Sequence, residues 1–229
     1  MYYLLVILAF AITLAAQLFV KTQFKKYSQV RNQRGLTGAE AARQLLLEHG
    51  ITNVSIQPIA GSLTDHYDPR TNVIRLSQDV YDKDSVAAVG VAMHEAGHAV
   101  QYAQNYAPVR VRSAIVKTTN ISSWISYILI LIGVFLGGRN GNTALGYNLI
   151  TLGIIFFLVV IFFQLVTLPV EFNASNRALR FLGSSGLLTA EEQAGSRKVL
   201  TAAALTYVAA VASSLLTLIR LLAIRGRRR

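Results

Sequence analysis

The chain has 229 residues, of which 53% are hydrophobic and only 14% are charged, and its net charge is +11. A soluble domain carries about 25% charged residues, and several nearly uncharged runs here reach the roughly 20 residues that a helix needs to cross a bilayer. The composition therefore excludes an ordinary soluble domain, and the absence of cysteine excludes disulfides and thiolate-bound zinc. The basic residues flank apolar runs, which is typical of membrane topology, so we expect a lipid bilayer and no nucleic acid as a partner.

The first predicted element is a transmembrane helix over residues 1–20, which contain no charged side chain. A signal peptide would begin with basic residues and end in a small-residue cleavage site. This run has neither, and "KTQFKK" follows it directly. The longest polar stretch, 21–117, comes next and is the part expected to carry the chemistry.

The first half of this polar part predicts one helix and a hairpin. In "TGAEAARQLLLEHG", Thr37 and Glu40 have the spacing of a capping box and Gly50 can end the helix. The segments "NVSIQPI" and "SLTDHYDPRTNVIRLS" predict strands, and the turn of the hairpin is placed at "DPRTN", Asp68 to Asn72.

A longer helix is predicted after the hairpin. Asp84 is its expected N-cap, it extends to about Tyr106, and Pro108 marks its end. The apolar run 118–168 is predicted to be a transmembrane hairpin, because the connection "RNGNTA" between its two halves is short and rich in glycine and asparagine.

The C-terminal third predicts further helices. Pro169 is expected to open a new helix, and a second capping box, formed by Thr189 and Glu192, begins another, so that both lie in 169–200. The stretch 201–229 holds the last apolar helix and a basic tail. The predicted fold class is a mainly helical α+β membrane protein, with four candidate transmembrane helices and a short sheet in a small zincin-like catalytic part.

The orientation follows from the basic residues beside the predicted spans. If the first three segments cross, three basic groups lie on one side, which the positive-inside rule makes cytoplasmic. These groups are Lys21, Lys25, Lys26, Arg31 and Arg34; Arg110, Arg112 and Lys117; and Arg177, Arg180, Arg197 and Lys198. The tail "RGRRR" disagrees if the last run also crosses, which we predict. We expect a multi-pass protein of a bacterial-type cell membrane, with the polar part in the cytoplasm.

The segment "AVGVAMHEAGHAVQYAQ" places two histidines on one helix face. A helix turns about 100° per residue, so His94 and His98 stand one turn apart on the same side and can bind one metal ion. Glu95 points away from the line between them and can hold the water bound to that ion. This is the mechanical basis of H-E-x-x-H, in which two zinc ligands accompany a general base.

The alternative is that these histidines are satisfied core residues. For this composition, a chance H-E-x-x-H has a probability of about 1 in 500. A buried Glu95 would also be costly without an ion or a partner. Small residues on the same helix let a neighbouring element approach the metal face closely: Gly90, Ala92, Ala96, Gly97 and Ala99. Metal binding is therefore the favoured interpretation.

Two histidines leave a catalytic zinc short of a ligand, since such sites generally have three protein ligands and an open position. The pattern H-E-x-x-H-x-x-G-x-x-H would supply a third histidine, but Gln101 and Gln104 stand where its glycine and histidine would be. The other histidines, His49 and His66, both precede the motif. A carboxylate after the motif is the natural alternative.

Three acidic residues follow the motif. Glu191 and Glu192 lie in a predicted first helical turn, where favouring the positive helix end is a sufficient role. Glu171 sits at the end of an apolar span, where an isolated carboxylate is a functional candidate. An ion pair with Arg177 or Arg180 is the other interpretation of Glu171.

These motifs together resemble the YugP-type membrane neutral zinc metallopeptidases. The resemblance covers nearly the whole chain and rests on "HEAGH", on "LTDHYDPRTNVIRLSQDVYD" before it and on "QLVTLPVEFNASNRAL" after a membrane hairpin. It implies a gluzincin similar in layout to the HtpX and CAAX-processing membrane proteases, whose third zinc ligand lies in an E-x-x-x-D motif. Carried over, His94, His98 and Glu171 bind one zinc ion and Glu95 is the general base.

The chain departs from that wider group at Ser175, which stands where the group has aspartate. The aspartate usually contacts a zinc histidine from outside the ligand set. Ser175 therefore leaves this contact in question, and Asn173, Asn176 or a water are candidates to replace it.

The stretch "TDHYDPR" has two interpretations. In the first, the hairpin borders the cleft, its strand edge pairs with an extended substrate, and His66 or Tyr67 stabilises the oxyanion. In the second, Asp65, His66 and Asp68 are turn residues with local hydrogen bonds. Tyr207 is a further oxyanion candidate, although core packing explains it as well.

The sequence therefore predicts an integral membrane zinc peptidase that acts on polypeptides. One alternative is a membrane scaffold or assembly factor with a structural zinc site, although such a site would not need Glu95. Another is a zinc sensor or transporter. Transporter sites, however, lie at mid-membrane between broken helices, whereas this motif lies in the polar part.

Overall fold

The computed structural model describes residues 2–139 and 143–226. Helices dominate the described residues, and three short strands form one sheet, which confirms the predicted α+β class. The helices are α1 (Tyr2–Ser28), α2 (Gly38–Glu48), α3 (Gln78–Tyr81), α4 (Val86–Ala103), α5 (Ala107–Arg139), α6 (Thr143–Ser185) and α7 (Ala190–Gly226). The strands are β1 (Ser55–Ile59), β2 (His66–Asp68) and β3 (Val73–Ser77).

Four of these helices, α1, α5, α6 and α7, are long and apolar enough to cross a membrane. At most 22% of the apolar window of each is buried within the protein. Exposed apolar surface of this extent is rare on soluble proteins, so lipid is its natural cover. The prediction of four candidate spans is confirmed, and the direction in which they cross stays a prediction.

The chain divides into two compact units. The larger unit comprises Ala16–Arg110 and Leu168–Thr206, and it contains the sheet and helices α2, α3 and α4. The smaller unit comprises Met1–Ala15, Val111–Thr167 and Tyr207–Arg229, and its described part includes a small apolar cluster around Ile150, Ile154 and Leu221. The domain boundaries drawn from the sequence at 117, 168 and 200 remain predictions.

The sheet of the larger unit contains the predicted hairpin. Strand β2 pairs antiparallel with β3, with Asp68 opposite Val73, and β1 pairs parallel with β3 on its other side. The central strand β3 is almost wholly buried, and Ile74 and Leu76 reach the core formed with α2 and α4. This leaves β2 as an edge strand beside α4.

The helix caps are only partly as predicted. Thr37 and Glu40 form the expected capping box at the start of α2. Asp84, however, does not cap α4: Ser85 is the N-cap, and its hydroxyl accepts from the Ala88 N–H. Asp84 is instead engaged by Arg31 in an ion pair. Both residues are good caps, and the structure uses Ser85 while Asp84 pairs with Arg31.

The expected start of a new helix at Pro169 is wrong, because Pro169 lies inside the uninterrupted helix α6. A proline in a helix interior removes one hydrogen bond and costs about 3 kcal/mol. Val170 and Ala174, which follow it, are fully buried, so packing in the larger unit holds the helix together despite that loss.

Two other helices also extend further than predicted. Helix α5 begins at Ala107, so Pro108 lies in its first turn, where a missing N–H does no harm. Helix α7 runs from the Thr189–Glu192 capping box through the last apolar run to Gly226. The connection "RNGNTA" falls partly outside the described residues, since 140–142 are not described.

Candidate metal centre

Helix α4 turns its two motif histidines towards one point. His94 and His98 are four residues apart, and their Nε2 atoms lie 3.1 Å from each other. The ring planes are nearly perpendicular, with centroids 4.6 Å apart. The helical spacing therefore brings together the two nitrogens that the sequence pattern predicts to meet.

Glu171 of α6 completes the cluster. Its Oε2 lies 3.3 Å from His94 Nε2 and 3.5 Å from His98 Nε2, and the residue is only 2% exposed. Zinc bonds of about 2.0–2.1 Å in a tetrahedron place neighbouring ligand atoms about 3.3–3.4 Å apart. The three side chains can therefore hold a metal ion of that size.

The same contacts favour protonation of His98 when no metal is bound. Burial by itself lowers the pKa of His98, but the adjacent Glu171 carboxylate raises it, so that the pKa ends above its usual value. A metal ion must therefore compete with a proton at this site, as is general for histidine ligands.

A glycine allows the two helices to approach this closely. A Cβ atom built on Gly97 would lie 2.7 Å from the backbone oxygen of Ala174. Ala174 lies between Glu171 and Ser175, both of which face the histidines. Gly97 thus has the packing role that the sequence predicts for the small residues of the motif helix.

We expect Gly97→Ala to destabilise the protein by about 1–3 kcal/mol, since the added methyl group must push α6 away. Zinc affinity should fall as well, because Glu171 moves with the helix. Thermal unfolding with and without zinc measures both effects. The matched control is Gly183→Ala in α6, another helical glycine, where the new Cβ would meet only Gln193 Oε1 at 3.8 Å. Equal stability and zinc affinity in the two variants would contradict this role of Gly97.

Glu95 lies beside the cluster and contacts the edge strand β2. Its side chain is only 8% exposed, and its Oε2 accepts a hydrogen bond from the Tyr67 backbone N–H at 3.0 Å. Strand β2 is fixed in turn by its pairing with β3. The hairpin thereby orients one oxygen of the predicted general base.

Two uncharged side chains contact the outer nitrogens of the histidines. Ser175 Oγ lies 3.0 Å from His94 Nδ1, and Gln101 Oε1 lies 3.0 Å from His98 Nδ1. Ser175 thus makes the contact to a histidine that was left in question by the lack of the wider group's aspartate. The sequence reasoning missed Gln101, although its position three residues after His98 on the same helix face was a usable signal.

The other two polar candidates of α6 do not touch the histidines. Asn173 accepts hydrogen bonds from Gln101 and from Arg177. Asn176 is exposed and lines a cavity of about 490 Å³, together with Asn173, Arg177 and Arg180.

The residues around β2 make mainly local contacts. Asp65 accepts hydrogen bonds from the backbone and hydroxyl of Ser77, and burial raises its pKa in spite of these bonds. His66 is exposed, with Nδ1 2.8 Å from the Thr64 carbonyl oxygen, and the Tyr67 hydroxyl donates to Asn72. Tyr207 belongs to the smaller unit.

The other two acidic candidates, Glu191 and Glu192, lie away from the histidines. Glu192 completes its capping box and also accepts a hydrogen bond from the backbone of Gln33, and Glu191 is exposed in the first turn of α7. Neither is part of the cluster of His94, His98 and Glu171.

Comparisons with known proteins agree with this chemistry. Residues 2–226 match the family described as "Putative neutral zinc metallopeptidase". A curated relative from Bacillus subtilis (strain 168), "Putative membrane protease YugP", is 46% identical over 216 residues, which cover 94% of this chain and 92% of the relative. No solved structure matches. Because the family match covers nearly the whole chain, the protein belongs to the family with this description, "Putative neutral zinc metallopeptidase".

Proposed function

We propose that the protein is an integral membrane zinc peptidase of the gluzincin type. His94, His98 and Glu171 hold one zinc ion, and Glu95 is the general base. The observation that carries the proposal is the convergence of three ligand atoms, 3.1–3.5 Å apart, beside the motif glutamate, with His98 and Glu171 buried and His94 half-buried. Glu171 is 73 residues beyond His98 in the sequence, so local structure alone cannot explain this meeting.

A zinc ion held by these three residues would supply Lewis acidity and would lower the pKa of a water molecule towards about 7. Glu95 would accept a proton from the attacking water and would return it to the leaving amine. The Tyr67 N–H holds Oε2 of Glu95, which leaves Oε1 for the water. The buried position of Glu95 keeps bulk solvent from competing for that oxygen.

The substrate proposed for this site is a polypeptide in extended conformation. Strand β2 is an edge strand and already contacts the general base, so a peptide beside it would be close to the reacting groups. His66 is the exposed side chain of this strand, and its role at the oxyanion, like that of Tyr67, stays a prediction.

Purified protein in detergent tests the proposal. Metal analysis should find one zinc per chain, and casein should be cleaved in a zinc-dependent manner. Zinc without cleavage of any polypeptide would favour the scaffold interpretation, and a chain that binds no zinc would exclude both.

The catalytic part is proposed to face the cytoplasm. The reason is that eight basic residues of 21–117 flank the first two candidate spans. The chain has no cysteine of its own, so a membrane-impermeant thiol reagent reports only an introduced one. Lys26→Cys, at an exposed position, should be labelled only after the cells are opened. Asn142→Cys, in the connection expected outside, is the positive control. Efficient labelling of Lys26→Cys in intact cells would overturn this orientation.

A further inference from the structure

Gln101 is a fully buried side chain that contacts a proposed zinc ligand. It makes three hydrogen-bond contacts: Oε1 lies 3.0 Å from His98 Nδ1, and Nε2 donates to the Val170 carbonyl at 2.8 Å and to Asn173 Oδ1 at 3.0 Å. A glutamine amide has one accepting and one donating end, so its partners decide which end faces the histidine.

Two independent partners fix the orientation of this amide. The Val170 carbonyl can only accept, so the NH₂ end of Gln101 must face it. Arginine can only donate, and Arg177 Nε lies 2.7 Å from Asn173, so the Asn173 atom at that contact is its oxygen. The same oxygen faces Gln101, which again requires the NH₂ end there.

The orientation of Gln101 then determines the tautomer of His98. Its oxygen faces His98 Nδ1, so Nδ1 must carry the proton and donate it. In the neutral ring, the other nitrogen, Nε2, is then left with its lone pair directed at His94 and Glu171. A neutral imidazole with a lone pair at the binding nitrogen is the form that binds a metal ion.

His94 lacks such a constraint. Its outer nitrogen faces the Ser175 hydroxyl, which can donate or accept. We infer that Gln101 is a positioning residue that holds His98 in its metal-binding tautomer, and that Asn173 and Arg177 set the direction of its amide. The inference rests on the proposed zinc site, and it assigns to Gln101 the role that an anionic partner has in related sites.

The test compares zinc affinities by chelator competition in the purified full-length protein. Gln101→Met keeps the buried volume but removes the acceptor, and it should weaken zinc binding about 10–100-fold. Ser196→Ala is the matched control, since it removes a buried hydrogen bond to Val86 in the same unit without touching the cluster. Unchanged zinc affinity in Gln101→Met would overturn the inference.

A second pair of variants covers the case in which Gln101→Met does not fold. Asn173→Asp retains an oxygen for both Arg177 and Gln101, and should bind zinc as the wild type does. Asn173→Leu retains none, and should bind zinc more weakly. Equal affinities in these two variants would speak against the role of Asn173 in setting the amide.

The tautomer itself can be measured in protein with ¹⁵N-labelled histidine. At alkaline pH, without metal, nuclear magnetic resonance should show His98 protonated at Nδ1, and protonation at Nε2 would overturn the inference. This measurement needs no zinc and no activity. A wild-type chain that binds no zinc would therefore refute the proposed function, whereas a wrong tautomer refutes only the role of Gln101.

Discussion

Glu95→Gln should lower the rate of peptide cleavage about 10²–10⁴-fold while zinc content and fold remain. The amide has the same size and can still accept the hydrogen bond from the Tyr67 N–H that the carboxylate accepts at 3.0 Å. It cannot take up the proton of the attacking water. Casein cleavage in detergent, together with metal analysis of the same sample, measures both parts of the prediction.

The matched control for this substitution is Glu191→Gln, since Glu191 is an exposed glutamate outside the cluster. It should retain full activity. A fully active Glu95→Gln protein would contradict the hydrolytic mechanism. Loss of zinc together with activity would mean that Glu95 supports the metal site rather than the proton transfer.

The charges of the proposed centre balance without a further acid. A zinc ion carries two positive charges, and Glu95 and Glu171 supply two negative ones in a buried place. An aspartate at position 175 would add a third negative charge, and burying a charge without a partner is costly. Ser175 and Gln101 contact the outer histidine nitrogens without that cost, which is a physical reason why this chain can do without the aspartate of the wider group.

Local patterns predicted the parts of the fold that depend on neighbouring residues. The spacing of His94 and His98 on one helix face, the capping box of Thr37 and Glu40, and the β2–β3 hairpin all depend on residues within a few positions of one another. The four apolar helices follow in the same way from runs of composition.

The rest depended on contacts between distant segments. Pro169 breaks a helix by local rules, yet burial of the residues after it keeps α6 continuous. Asp84 and Ser85 are both good caps, and Arg31, 53 residues away, engages the aspartate. Gln101 is an ordinary polar residue until α6 supplies Val170 and Asn173 as its acceptors. The periodicity of a single sequence cannot predict such contacts between distant segments.

Glu171→Ala should reduce zinc affinity by more than the approximately 10–100-fold loss that is typical of outer contacts, because it removes one of three proposed ligands. Glu171 Oε2 lies within 3.5 Å of the Nε2 atoms of both histidines. Because Glu171 is buried, solvent has little access to supply an anion in its place. Glu171→Gln keeps the size and one neutral oxygen, so its loss should be smaller. Zinc occupancy after mild chelator treatment should fall in the order wild type, Glu171→Gln, Glu171→Ala.

Two acidic residues of α7 provide the controls. Glu191→Ala changes an exposed residue and should keep both zinc and stability. Glu192→Ala removes the acceptor for the Thr189 and Gln33 backbone N–H groups, so it should cost about 1 kcal/mol of stability and yet keep zinc. Glu192→Ala thus separates a loss of stability from a loss of metal. If Glu171→Ala kept its zinc while either control lost it, Glu171 would not be the third ligand. If Glu171→Ala and Glu192→Ala lost zinc equally while Glu191→Ala kept it, zinc retention would follow stability rather than this ligand.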